Sequence, residues 1–222
     1  MGNLEAGKYY HIYNKSINNE ILFHSKEDYM HFLSLYGKYI YPVANTCAWA
    51  LMKNHFHFLV RIKESHEIGF YKPKINPSEQ YIKFQTIAAD NLSEFEEPDR
   101  VNLRVPNPCK HFSHLFNAYS KYYNIHLNRS GSLFKRPFQR KSIQSEEYLK
   151  NLIIYIHTNP VHHGLCNKPE LYPWTSYNSI LSAKTTKLMR EKVIYLFSDK
   201  SNFIAVHNQK LDTESLKEYL LE

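Results

Sequence analysis

His55-Phe56-His57-Phe58-Leu59-Val60-Arg61-Ile62 (HFHFLVRI) is the stretch that decides the fold. Apolar residues at 56, 58, 60 and 62 alternate with His55 and His57, the period of a strand with one buried face. Just before it, Ala44 to Met52 reads as another strand, with Cys47, Trp49 and Leu51 alternating against Ala48, Ala50 and Met52. Lys53-Asn54 between them is a tight turn, so the pair predicts a β-hairpin.

Working outward, Lys8 to Asn14 (KYYHIYN) predicts a first strand. A helix follows, opened by Ser25 as N-cap with Asp28 three residues on. Its stripe is Tyr29, Phe32, Leu33, Tyr36 and Ile40, and Pro42 stops it. Downstream, Lys110 to Leu127 predicts a helix striped by Phe112, Leu115, Phe116, Tyr119 and Tyr123. Phe138 to Gln144 then predicts a strand, with Pro137 at its entrance. The order through residue 144 is strand, helix, strand, strand, helix, strand. That is the split βαβ order of an α+β, ferredoxin-like sandwich with an antiparallel sheet. A further helix over about 146–159 is capped by Ser145, carries Leu149, Leu152, Ile153 and Ile156, and is expected to end at Asn159-Pro160.

Residues 64–107 interrupt this pattern with four prolines and with eight acidic residues against five basic. They read as an insertion in a domain spanning 1–165. Residues 166–222 read as a C-terminal extension packed on that domain.

The chain has 222 residues, enough for a core that needs no metal or disulfide to fold. No apolar run is long enough for a transmembrane helix. The opening residues, MGNLEAGKYYHIYNKS, lack the apolar stretch of a secretory leader. Cys47, Cys109 and Cys166 are odd in number and far apart, which argues against a disulfide framework or a cysteine zinc site. The expected compartment is the reducing cytoplasm, with no membrane partner. The net charge of +7 is unevenly spread. From Pro108 to Lys150, eight basic residues face only Glu146 and Glu147. Lys121, Arg129, Arg136, Arg140 and Lys141 belong to this run, and Tyr122, Tyr123, Phe134 and Phe138 interleave it. Basic groups beside stacking faces suit single-stranded nucleic acid; an ordinary solvated face is the plainer reading.

Two constellations carry candidate chemistry. His55 and His57 share one strand face and can converge on a divalent ion. With 13 His in the chain, chance alone supplies roughly one His-x-His pair, so only the strand context gives the motif weight. Tyr155 and Asn159 lie one helical turn apart, flanking the apolar stripe of their helix. There a tyrosine can turn its hydroxyl to a cleft, and the Asn159 amide oxygen can serve a hard cation such as Mg²⁺ or Mn²⁺. The plainer readings are a packed edge tyrosine and a helix-stop asparagine.

With NHFHFLV, RSGSLFKRPFQRK, YIHTNPVHHG and YPWTSY in this order, the sequence resembles the REP-associated tyrosine transposases, which belong to the HUH single-tyrosine group. The resemblance covers roughly 8–63 and 108–180. It implies that His55 and His57 bind a divalent metal, Mg²⁺ or Mn²⁺, with Asn159 as a third ligand. It implies Tyr155 as the nucleophile that cuts single-stranded, hairpin-forming DNA through a 5′-phosphotyrosine. It also implies a monomer or homodimer. Tyr119 is the rival nucleophile, but it lies inside an apolar stripe. His157 is a possible base, although it shares no obvious face with Tyr155. His162-His163 stands where that group commonly has a basic and a small residue. The alternatives are a non-catalytic module that binds single-stranded nucleic acid on a ferredoxin-like fold, and a replication or relaxase nickase of the same chemistry.

Overall fold

In the computed structural model, which describes residues 3–69 and 105–209, the hairpin forms from β2 (Ala44–Leu51) and β3 (His55–Ile62). Strand β1 (Tyr9–Lys15) pairs antiparallel with β3 on one side and with β4 (Gln139–Ile143) on the other. The sheet order is therefore β2-β3-β1-β4. With α1 (Lys26–Ile40) after β1 and α3 (Pro108–His126) before β4, this is the ferredoxin-like arrangement. A short α2 (Ser65–Ile68) follows β3. The rest of the expected insertion, 70–104, and the end of the expected extension, 210–222, lie outside the described residues.

Local chemistry explains the helix starts. The Ser25 hydroxyl accepts from the Asp28 amide, and the Asp28 carboxylate accepts from the Ser25 amide, a full capping box. Asn107 caps α3 through the Lys110 amide, and Pro108 occupies the first turn, where its missing N–H costs nothing. Helix α4 (Glu146–His162) is capped by Ser145, whose side chain accepts from the Tyr148 amide.

The sheet separates two cores. Under α1 and α3, Ile12, Phe56, Phe58 and Val60 meet Phe32, Phe112 and Tyr119. Under α4, Cys47, Ala48, Ala50 and Leu59 meet Leu152, Ile153 and Ile156. The small Ala48 and Ala50 let α4 lie close over β2. Residues after 166 add to this second core: Tyr177 from α5 (Tyr177–Leu181), Val193 from α6 (Arg190–Leu196) and Phe203 from α7 (Lys200–Asn208).

Three local expectations change. A β-bulge between Thr46 and Ala48 breaks the alternation of β2, so Cys47 joins the α4 side while Trp49 and Leu51 turn to the other. Strand β4 is shorter than 138–144, since Phe138 and Gln144 fall outside the paired segment. Asn159-Pro160 does not end α4, which runs to His162. Pro160 sits in the last turn and removes one donor there. The chain then closes through His163 N–H to the Asn159 carbonyl at 3.0 Å and Leu165 N–H to the Pro160 carbonyl at 2.9 Å.

Candidate active site

Strand pairing sets the site. Opposed residues in an antiparallel pair project to the same side. Tyr13 stands opposite His57 and Lys15 opposite His55. Gln139 stands opposite Tyr13, and Lys141 opposite His11. The α4 face of the sheet therefore presents His11, Tyr13, His55 and His57 together. Helix α4 lays Tyr155 and Asn159 over them. The ring centroids of Tyr155 and His57 are 5.4 Å apart, near perpendicular. The Asn159 Oδ1 atom lies 3.3 Å from His55 Nε2. His55, His57 and Tyr155 line one cleft of about 590 Å³, with Lys15 and Lys135 at its walls.

Donor and acceptor roles sharpen this picture. His55 Nδ1 lies 2.7 Å from Asn54 Oδ1, an acceptor, so Nδ1 carries the proton. The lone pair of His55 then sits on Nε2 and faces the Asn159 Oδ1 lone pairs. His57 Nδ1 lies 2.9 Å from His11 Nε2. Its own Nε2 is buried without a hydrogen-bond partner, as is Asn159 Nδ2. Burial first, then His11, His55 and His163, holds His57 well below the usual histidine range, so its ring is neutral at neutral pH. A neutral imidazole with a free nitrogen, beside a second imidazole lone pair and an amide oxygen, fits a divalent metal. Among the described residues, no three of His, Cys, Asp and Glu gather as a ligand set. The third donor offered here is an amide.

His11 was missed in the sequence. It is fully buried, and burial first, then Lys141, pushes it down to about 3. It can accept from His57 Nδ1 and so fix the tautomer that leaves Nε2 open. The signal that could have found it is a lone histidine in the apolar strand that pairs with the His-x-His strand.

The other expected residues scatter. His157 points away from the cleft: its Nε2 meets Ser176 Oγ at 2.7 Å and its Nδ1 meets His207 Nε2 at 3.0 Å. Tyr119 lies on the opposite side of the sheet and donates to the Leu22 carbonyl at 2.6 Å. Burial raises its phenol above the usual range. Arg129 is bound to Glu20 at 2.7 Å and to Asn124 at 2.9 Å, which fastens the turn after α3. Lys121 is exposed on α3. Lys141 lies on the cleft side of β4 over the Tyr148 ring. Arg136 and Arg140 line a second pocket on the α3 side.

No protein-family profile matches the sequence, and no curated protein matches it. Among solved structures, the chain is similar in fold to a REP-associated tyrosine transposase bound to a REP hairpin. The TM-score is 0.52 at 12% identity, over 82% of this chain and 84% of that one. No helix among the described residues is long and apolar enough to cross a membrane.

Proposed function

We propose that the chain is a DNA strand-transferase of the REP-associated tyrosine transposase type. It would nick single-stranded, hairpin-forming DNA with Tyr155 and hold Mg²⁺ or Mn²⁺ with His55, His57 and Asn159. The observation that carries this reading is the meeting of β3 and α4: His55, His57 and Tyr155 line one cleft, and the buried Asn159 side chain lies 3.3 Å from His55 Nε2. The solved neighbour of like fold carries a DNA hairpin, and we extend that ligand class to this chain.

The bound cation supplies Lewis-acid polarisation of the scissile phosphate. The protein does the rest. Lys15 and Lys135 at the cleft walls hold backbone phosphates without reading bases. Helix α4, held against the sheet by Leu152, Ile153 and Ile156, sets the height of the Tyr155 ring above His57. The phenol oxygen of Tyr155 bonds to phosphorus and gives up its proton. The bond from phosphorus to the 3′ oxygen breaks, and that oxygen leaves as a hydroxyl after taking a proton. The 5′ phosphate stays on Tyr155, and attack by a 3′ hydroxyl reverses the step and rejoins a strand.

A single-stranded hairpin oligonucleotide with unpaired flanks tests this reading. With Mn²⁺ the expected result is a nicked product and a protein–DNA adduct that survives denaturation. EDTA, His57→Ala and Tyr155→Phe should each remove both. Binding without cleavage, indifferent to EDTA and to His55→Ala, would instead mark a non-catalytic nucleic-acid module.

A further inference from the structure

The second pocket, on the α3 side of the sheet, has a volume of about 560 Å³, within the range of small-ligand sites. It meets the cleft at Asn14 and Lys135, which line both. The Asn14 side-chain amide donates to the Lys135 carbonyl at 3.1 Å and fixes that junction. The two hollows adjoin there, as two stretches of one groove.

Its chemistry is mixed in a particular way. Lys110, Arg136 and Arg140 supply positive charge on one wall, beside the N-terminal turn of α3. Among the described residues, Arg140 Nε is buried without a partner, and its Nη1 meets the weak acceptor Cys109 Sγ, at 3.6 Å. Beneath it lies the Phe138 ring, 5.2 Å from the guanidinium carbon. Along α3, which also carries Lys110, Ser113 and Ser120 donate to the Cys109 and Phe116 carbonyls at 3.0 and 2.8 Å. Their oxygens therefore offer the pocket lone pairs only. A guanidinium with an unmet donor calls for an anion. An aromatic floor with acceptors on its rim calls for a flat, hydrogen-bonding ring. A nucleotide has both parts.

We propose that this pocket takes one unpaired DNA nucleotide flanking the strand in the cleft, with its phosphate on Arg140 and its base against the aromatic lining of Phe116, Phe134 and the Phe138 edge. The inference rests on the proposed function, since it assumes that a DNA strand occupies the cleft. The groove then guides the strand from the Tyr155 side of the sheet to the α3 side.

Fluorescence anisotropy tests it, using the Tyr155→Phe chain and a labelled hairpin oligonucleotide with unpaired flanks. Arg140→Gln, which loses a charge-assisted contact, and Ser113→Glu, which sets a repelling carboxylate in the pocket, should each weaken binding by roughly tenfold. Lys184→Gln, an equal charge change at an exposed site outside the groove, should not. A single abasic position in one flank should weaken binding as well. In the otherwise unmutated chain, DNA should slow alkylation of the half-buried Cys109 and leave Cys166 unaffected. If the oligonucleotide binds but neither variant weakens it and Cys109 reacts at its old rate, the pocket inference is overturned and the proposed function stands. If an abasic position at no flank matters, the base is not held there and the inference is likewise overturned. If the parent chain binds no single-stranded DNA, both fall together.

Discussion

Under α1 and α3 the strands present Ile12, Phe56, Phe58 and Val60; under α4 the same strands present His11, Tyr13, His55 and His57. The first face is closed by a layer of packed rings, such as Phe32 against Phe56 and Tyr119. The second is closed around polar atoms, three of which (His11 Nδ1, His57 Nε2 and Asn159 Nδ2) are buried without a partner. An unmet buried polar atom opposes folding. One face is thus organised for stability and the other carries a cost that a bound ligand would offset.

This contrast breaks first if the wrong face proves fragile. Phe58→Ala, at a fully buried ring, should cost about 3–5 kcal/mol. Urea denaturation would read that as a lower midpoint at unchanged slope. The polar face should respond to ligand instead. Mn²⁺ at a hundred times its dissociation constant should stabilise the chain by about 2.7 kcal/mol. His57→Ala should abolish that gain, read as the loss of the metal-induced rise in melting temperature. Because the cleft offers two imidazoles and, among the described residues that line it, no carboxylate, Mn²⁺ should bind more tightly than Mg²⁺.

Acid should act on the same side of the sheet. Burial depresses His11 to about 3 and His207 to about 4, so the unfolded chain binds more protons between those values and about 6.5. Stability therefore falls as pH drops from 6.5 toward 4, by about 1.4 kcal/mol per pH unit for each such histidine. It should be flat above about 7. A melting temperature unchanged between pH 7 and pH 5 would contradict this burial. The smallest effect belongs to the aromatic face. Tyr119→Phe removes one buried hydrogen bond to the Leu22 carbonyl, worth about 1 kcal/mol, and should leave adduct formation intact.

Much of this was legible in the sequence because it is written in local chemistry. The Ser25 and Ser145 caps, the alternation of β3 and the stripe of α3 are near-neighbour patterns, and each forms where it is read. What was not legible depends on residues far apart in the chain. The approach of His11 to His57 spans 46 positions and follows from strand pairing alone. Arg129 reads as one more cation in a basic run until Glu20, 109 positions away, meets it. Pro160 reads as a stop because the sequence does not show the burial of Asn159 and Pro160 that carries α4 past it. Cys47 changes side through a bulge that its alternating neighbours do not announce.

The two tyrosines compress the comparison into one pair of side chains. Tyr155 lies over His57 on the polar face, and Tyr119 lies among rings on the other. Peptide mapping by mass spectrometry, on chain trapped with a nicked hairpin oligonucleotide and Mn²⁺, separates them directly. The expected result is a 5′-phosphonucleotide on the peptide that contains Tyr155 and on no other. An adduct on Tyr119, or one that persists in Tyr155→Phe, would contradict it.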